Sequence, residues 1–468
     1  MTDLHDAIVV GAGISGLVVA HRLQRLGWRV GVAEAAPRAG GVIGSITAAD
    51  GALYETGPNS ALETHAQIGA LVDEIGLRSR WVYASAAAER RYIVRGGRLQ
   101  DLPTTPAAFL ATRLFSWRAK LALAAEPLHR RADAAVDESI AAFVRRRLGA
   151  EFLDYAIDPF VAGVYAGDPE RISVRAAFPK LHALEQRWGS LIVGQVRGAR
   201  ERARSGEAAK NAARSFSFDG GMQLLTDALA ARLPGLVLGA RVTSIRRDAD
   251  GFWTLQALQS RRDDEPRAWR ARAIVLATPA AAAAELLAPL APDAAAALRA
   301  IPYAPVASVA SLYDRAAVGH ALDGFGCLVP RKESRRLLGV LFSSAMYAGR
   351  AGPDGTLLTS FVGGRRQGEL LQLDDAALAA LVHDEHRALL GAAAAPRWQA
   401  VTRWERAIPQ YEIGHLERVA RAAAAATALP GLAFCANWGG GVAVGDCIRN
   451  GEAQAQATAL YLKQGALG

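Results

Sequence analysis

Residues 6–16 read Asp6-Ala-Ile-Val-Val-Gly11-Ala12-Gly13-Ile14-Ser15-Gly16, and this stretch decides the fold. The run 6–10 predicts a buried strand, the glycines a tight turn, and the residues after them a helix to about Leu26. Trp28 to Glu34 reads as a second strand and closes a β-α-β unit. Gly11 permits the turn, Gly13 lets the backbone approach a diphosphate, and Gly16 lets helix and strand pack closely. The helix N-terminus offers backbone N–H groups to phosphate charge. Glu34 ends the second strand, where a carboxylate accepts ribose hydroxyls. Gly11, Ala12, Gly13, Ile14, Ser15, Gly16 and Glu34 therefore form a candidate dinucleotide site.

Outward from this unit, the 468 residues are 51% hydrophobic, enough for two or three structural units around a large core. The first apolar run breaks at Gly11, too early for a signal sequence. Ala273 to Leu298 is interrupted by Pro279, Glu285, Pro289 and Pro292, so no membrane span is expected. Cys327, Cys435 and Cys447 have no paired spacing; neither a disulfide framework nor a zinc site is expected, and a cytoplasmic location fits. The net charge of +9 suits an anionic substrate or lipid surface, or reflects an Arg-rich composition alone. The basic residues are scattered without a nucleic-acid motif, so no nucleic-acid partner is expected. Arg145, Arg146 and Arg147 read as the solvated side of a helix over Ser139–Leu148. His383 and His386 read as an exposed helical face, not a metal pair.

The pattern predicts an α/β chain that leaves and re-enters a Rossmann-like domain. Residues 1–85, 216–285 and 411–468 are its three parts. Residues 86–215 read as a mostly helical insert, in which Gly198–Arg214 is an exposed helix end or loop. Residues 286–410 read as an inserted α+β substrate-binding domain. Ala273-Ile-Val-Leu-Ala277 predicts another central parallel strand.

Two stretches turn the dinucleotide into FAD. Glu34 is followed by Ala-Ala-Pro-Arg38-Ala-Gly40-Gly41, which resembles the extended signature of the glutathione-reductase-like flavoproteins. Near the other end, Leu432 to Ala436 predicts a strand, followed by Gly439-Gly-Gly441-Val-Ala-Val-Gly445-Asp446 and a helix. The positive end of that helix would favour negative charge on reduced flavin. No second GxGxxG follows a mid-chain strand, so the electrons are expected to come from an organic substrate.

Six further stretches, in order, resemble the protoporphyrinogen oxidase family, FAD enzymes of late haem synthesis. They are Tyr54-Glu-Thr-Gly57-Pro58-Asn59-Ser60; Arg91-Tyr-Ile-Val-Arg-Gly-Gly97 leading to Leu102-Pro103; Phe160-Val-Ala-Gly163-Val-Tyr-Ala-Gly167-Asp168-Pro169; Phe218-Asp-Gly-Gly-Met222; Ile408-Pro-Gln-Tyr411 with Gly414-His415; and Gly441-Val-Ala-Val444. The resemblance implies that Arg38, Gly40 and Gly41 wrap the diphosphate. It also implies that Val42, Gly57, Pro58, Asn59 and Ser60 lie along the flavin, that Val242 pairs its backbone with adenine, and that Trp404 packs near the cofactor. Val442, Ala443 and Val444 would touch the flavin from the last helix. Arg91 matches a residue pairing with a substrate propionate, and Leu328 and Phe361 match residues that sandwich a tetrapyrrole. For Asn59, flavin contact, substrate contact and turn stabilisation all stay open. His415 reads as structural.

The implied reaction is oxidation of protoporphyrinogen IX to protoporphyrin IX by successive hydride transfers to flavin N5, with oxygen or a quinone as final acceptor. FAD is expected to be noncovalent, because Cys435 precedes the flavin turn. Coproporphyrinogen III, with four propionates, is the nearest alternative substrate; amine oxidase or desaturase chemistry and a non-enzymatic flavin scaffold are the others. The family tends to bind membranes through its inserted domain. The stretch 106–130, with Phe109, Leu110, Leu114, Phe115 and Trp117 among arginines, suits peripheral attachment at the cytoplasmic membrane face. A homodimer stays open.

Overall fold

The computed structural model describes residues 3–133, 135–205, 213–259 and 266–464. The opening strand Asp3–Val10 runs parallel between Val30–Glu34 and Pro266–Leu276. Leu236–Leu238 extends the sheet beyond Val30–Glu34. On the other side of Pro266–Leu276, one edge is shared. Its first half pairs antiparallel with Trp253–Gln259, and its last residues pair parallel with Leu432–Phe434. The chain therefore returns to its first sheet twice.

Alternation along Asp3–Val10 sets the two cores of this unit. Ala7 and Val9 pack towards the helices Ile14–Arg25, Gln223–Ala230 and Val444–Gln464. Ile8 and Val10 pack towards Ala280–Leu287, Pro292–Arg299 and His415–Ala428. Gly451 lets the last helix approach the first; a Cβ there would stand 2.9 Å from Val18.

A second sheet has seven strands in the order Trp398–Pro409, Tyr303–Asp314, Gly355–Gly363, Gly339–Leu341, Gly324–Leu328, Arg90–Arg95, Arg98–Asp101. One face is covered by the helix Asp375–Leu390 through Leu378, Leu381 and Val382. The sequence boundary at residue 86 is corrected here. The hairpin Arg90–Asp101 belongs to this sheet, because Arg90–Arg95 pairs parallel with Gly324–Leu328. A pairing partner over 200 residues away leaves no trace in local periodicity. The helical segments follow the hairpin, from Pro106–Ala111 to Leu191–Ser205. The expectation for Gly198–Arg214 falls partly on that helix and partly on 206–212, outside the described residues.

Two expectations about helix faces are overturned. Arg145 is exposed, but Arg147 is fully buried and pairs with Glu126 at 2.6 Å, itself buried. Glu126 also accepts the backbone N–H of Leu191 at 2.9 Å, so this arginine ties two helical segments together. His386 is fully buried as well. Its Nε2 meets Ser360 Oγ at 2.7 Å, and its Nδ1 meets Tyr313 Oη at 3.1 Å. Burial holds its pKa down at about 3. Charged and imidazole side chains entered these cores because each finds polar partners there, which sequence polarity alone does not register.

Candidate active site

The two glycine loops of the first unit touch each other. Gly11 has φ +101°, and a Cβ there would lie 2.8 Å from the Ala277 carbonyl. A Cβ on Gly16 would lie 2.0 Å from the Gly11 carbonyl. Gly13, by contrast, faces open space: a Cβ there would meet nothing within 4 Å. Gly40 donates its N–H to the Ala12 carbonyl at 2.8 Å, and Gly13 bridges Gly40. The helix Ile14–Arg25 opens without a side-chain cap, so its first N–H groups are left for an anion.

Glu34 joins the loops. Its two oxygens accept the N–H groups of Ala12 at 2.6 Å and Ala36 at 2.8 Å, and each keeps a lone pair for a ribose hydroxyl. Arg38 donates its guanidinium N–H groups to the carbonyls of Ala39, Gly41 and Ile43, so it shapes the loop that carries Gly40 and Gly41. Val42 is exposed, and its carbonyl lies so close to Gly57 that a Cβ on Gly57 would stand 1.9 Å away. Val242 lies in Ala240–Arg247, at the end of the strand path, beside a register shift at Val242/Ser244. At the far end, Ser15 faces the first turns of the last helix: its carbonyl would stand 3.2 Å from a Cβ on Gly451. Val444 is buried, Val442 half-buried and Ala443 exposed. The uncapped helix start, open space at Gly13 and the Glu34 carboxylate fit a dinucleotide diphosphate and ribose.

The second sheet brings together residues that the sequence scatters. Leu328 pairs in register with Gly339, Gly339 with Phe361, Phe361 with Ser308, and Ser308 with Thr402. Paired residues share a face, as do residues two apart on one strand. Ile93 pairs with Leu328, which puts Arg91 on that face; Thr402 puts Trp404 there. Arg91, Leu328, Phe361 and Trp404 thus lie on one side, opposite the face covered by Asp375–Leu390. Between Leu328 and Phe361 stands only Gly339, so the two apolar side chains are about 10 Å apart at the backbone, and the Leu328 side chain leans over the glycine: a Cβ there would lie 3.2 Å from its Cδ2. Gly163, on helix Asp158–Tyr165, lies over Leu328: a Cβ there would be 2.7 Å from its Cδ2. Arg91 is exposed at the margin, its guanidinium 5.5 Å from the centre of the Phe325 ring.

Two contacts join this face to the dinucleotide unit, through Trp404 and Asn59. Trp404 Nε1 donates to the Thr56 carbonyl at 2.7 Å. Asn59 is buried; its amide reaches the Gly57 carbonyl at 3.4 Å and its oxygen accepts from Ser343 at 3.4 Å. Ser60 accepts from Ser215 at 3.1 Å. Sequence reasoning missed the strongest link, the buried pair Glu55–Arg350 at 2.7 Å. Burial pushes the Glu55 carboxyl up, while Arg350 and Ser45 pull it back. It also missed Gly339, which carries no local signal, because its importance lies in what flanks it.

A chain with this dinucleotide cradle, re-entered from both ends and facing an antiparallel sheet, is of the flavin-dependent oxidoreductase class. The chain belongs to the flavin containing amine oxidoreductase family, whose model matches residues 14–459. Within it, the chain is 32% identical to protoporphyrinogen oxidase 2, chloroplastic/mitochondrial, of Arabidopsis thaliana, over 97% of this chain and 94% of that protein. It is 27% identical to coproporphyrinogen III oxidase of Bacillus subtilis, over 97% and 98%. A solved structure from Exiguobacterium sp. 255-15, described as a candidate protoporphyrinogen oxidase, superposes with TM-score 0.79 at 24% identity, covering 99% of both chains.

Proposed function

We propose that this protein uses FAD to oxidise protoporphyrinogen IX to protoporphyrin IX. One observation carries the reading: Leu328 and Phe361, on either side of Gly339, share one sheet face with Arg91. A large apolar macrocycle with carboxylate arms needs apolar side chains to lie against plus a guanidinium to grip one arm. The 32% identity to a protoporphyrinogen oxidase supports the same substrate.

When bound, FAD supplies the oxidising power and passes electrons on to oxygen or a quinone. The chain's own residues then bind, orient and exclude water. The N–H groups opening Ile14–Arg25, with Gly40 and Gly41, would hold the diphosphate, and Glu34 the ribose. Val242 would serve the adenine. Gly57 to Ser60, Val42, Trp404 and Val442 to Val444 would line the flavin. Leu328 and Phe361 would hold the macrocycle by its faces. Such positioning can supply much of the barrier reduction without a protein acid or base. FAD is taken as noncovalent: Cys435 and Cys447 are buried, and burial pushes their thiols up to about 12 and about 11, far from reactive.

The test offers both porphyrinogens to the purified protein and follows porphyrin fluorescence. Protoporphyrinogen is expected to turn over faster. Faster turnover of the tetracarboxylate would overturn the substrate in favour of coproporphyrinogen III, to which the Bacillus relative's name points.

Peripheral attachment to a membrane is part of the proposal. Among the described residues no helix is long and apolar enough to cross a membrane. Leu110, Trp117, Leu121 and Leu128 are exposed among the exposed Arg113, Arg118 and Arg130. Apolar side chains ringed by arginines suit an anionic lipid surface. Leu114 and Phe115, expected in that surface from sequence, are buried and support it from beneath. The protein should float with anionic liposomes and not with neutral ones; failure to float with either would discard this part.

A further inference from the structure

Tyr411 and His415 are buried side chains with no place in the slot or the diphosphate loops. Both lie against the turn that opens the last helix. Tyr411 Oη donates to the Asn437 carbonyl at 2.5 Å and accepts the Gly441 N–H at 2.8 Å. The Gly440 N–H approaches the same oxygen at 3.4 Å. One hydroxyl thus spans the turn from residue 437 to 441. The Tyr411 ring stacks on the imidazole of His415, centroids 4.1 Å apart and planes within 14°. His415 Nε2 donates to the Trp438 carbonyl at 2.9 Å, and Trp438 Nε1 donates to the Thr278 carbonyl at 3.0 Å. Thr278 lies beside Gly11: its Cγ2 would stand 3.4 Å from a Cβ there. The chain of contacts ends at the diphosphate loop.

The turn needs an external tie. Gly440 and Gly441 have φ +133° and +123°, and glycine backbone in that region is unusually free. Buried hydroxyl and imidazole groups are costly unless bonded, and apolar residues would fill the same space without that cost. What these two add is direction. With the N–H groups of Gly440 and Gly441 directed to Tyr411, the following N–H groups, from Val442 onward, are the ones left to open the helix Val444–Gln464.

We infer that Tyr411 is a positioning residue for the flavin: its hydroxyl sets the turn 437–441 so that the first N–H groups of the last helix point in one fixed direction at the cofactor, with His415 holding its ring. The inference rests on the proposed placement of the flavin beside Val442 to Val444. It gives the turn a role in tuning the cofactor, since N–H dipoles held at the flavin favour its anionic reduced form.

The test is Tyr411→Phe, which keeps the stacked ring and removes only the hydroxyl. FAD affinity and the midpoint potential of the bound flavin are measured on the holoprotein, with thermal unfolding as control. Tyr411→Phe is expected to bind FAD about tenfold more weakly and to lower the relative affinity for reduced over oxidised flavin about tenfold, close to 30 mV for a two-electron couple. His415→Phe, which keeps a stacked ring but loses the Trp438 bond, should shift the potential in the same direction by less. A purely structural role would lower the melting temperature and leave the potential unchanged, and that result overturns the inference. Should Tyr411→Phe not fold, the potential of His415→Phe decides in the same way. A parent protein that purifies with FAD but shows neither shift in its variants fails this inference alone; a parent that binds no FAD fails the placement of the cofactor beneath it.

Discussion

The proposed diphosphate cradle and the proposed substrate slot are built in opposite ways. The cradle is made from two short, contiguous loops, Gly11–Gly16 and Glu34–Ile43, whose glycines touch each other within a few residues of their strands. The slot is made from single residues on separate strands, Arg91, Leu328, Gly339 and Phe361, aligned only by sheet register. Local chemistry makes the first; long-range pairing makes the second. A cradle residue therefore should fail with its own loop, and a slot residue should fail only in what it touches.

The largest effect is expected where the two regions meet. Glu55→Gln leaves the Arg350 guanidinium buried without its charged partner and should cost about 3–5 kcal/mol of stability. Denaturant unfolding of the apoprotein would measure it, and a loss under 1 kcal/mol would mean that the two regions are not joined through this pair.

Next comes the cradle itself. Gly16→Ala drives a methyl into the Gly11 carbonyl, an overpacking cost of about 3 kcal/mol, and should yield protein without bound flavin. The ratio of flavin to protein absorbance after purification reads this directly; stoichiometric flavin would break the contrast.

Arg91→Ala probes the slot alone. Loss of a charge-assisted bond to a carboxylate, about 1.5–3 kcal/mol, should raise KM about 10- to 100-fold while flavin content and melting temperature stay those of the parent. A fall in flavin content instead would place Arg91 in the cradle's support.

The smallest effect separates the regions by pH. Burial lowers His415, beside the turn 437–441, to about 4, and His386, behind the second sheet, to about 3. Both folded values lie below the unfolded value near 6.5, so the unfolded chain binds protons first as pH falls. Stability from these groups is fully present above pH 6.5 and is lost progressively as pH falls, down to about 4 for His415 and about 3 for His386. One unit below 6.5, each contributes a loss of about 1 kcal/mol. Unfolding at pH 7.5 and 5.5 checks the sum, and His386→Asn should remove only its own share.

The same contrast explains what could be read in advance. Gly11 to Gly16, Glu34 and the Gly439–Asp446 turn were legible because each motif is contiguous and its residue types are demanded by backbone geometry. Arg147 and His386 were misread, because periodicity assigns polar residues to water unless a partner is known, and Glu126 and Tyr313 are distant in sequence.

The sequence by itself determined that a dinucleotide fold opens the chain and is completed by its C-terminus, because glycine turns, strand runs and a closing carboxylate are local requirements. Only the tertiary structure decided that Arg91, Leu328, Phe361 and Trp404 share one face, that Gly339 separates two of them, and that Glu55 meets Arg350. Those facts depend on strand register and domain contact, and a shift of one residue in any strand would have turned the same side chains to the other side of the sheet.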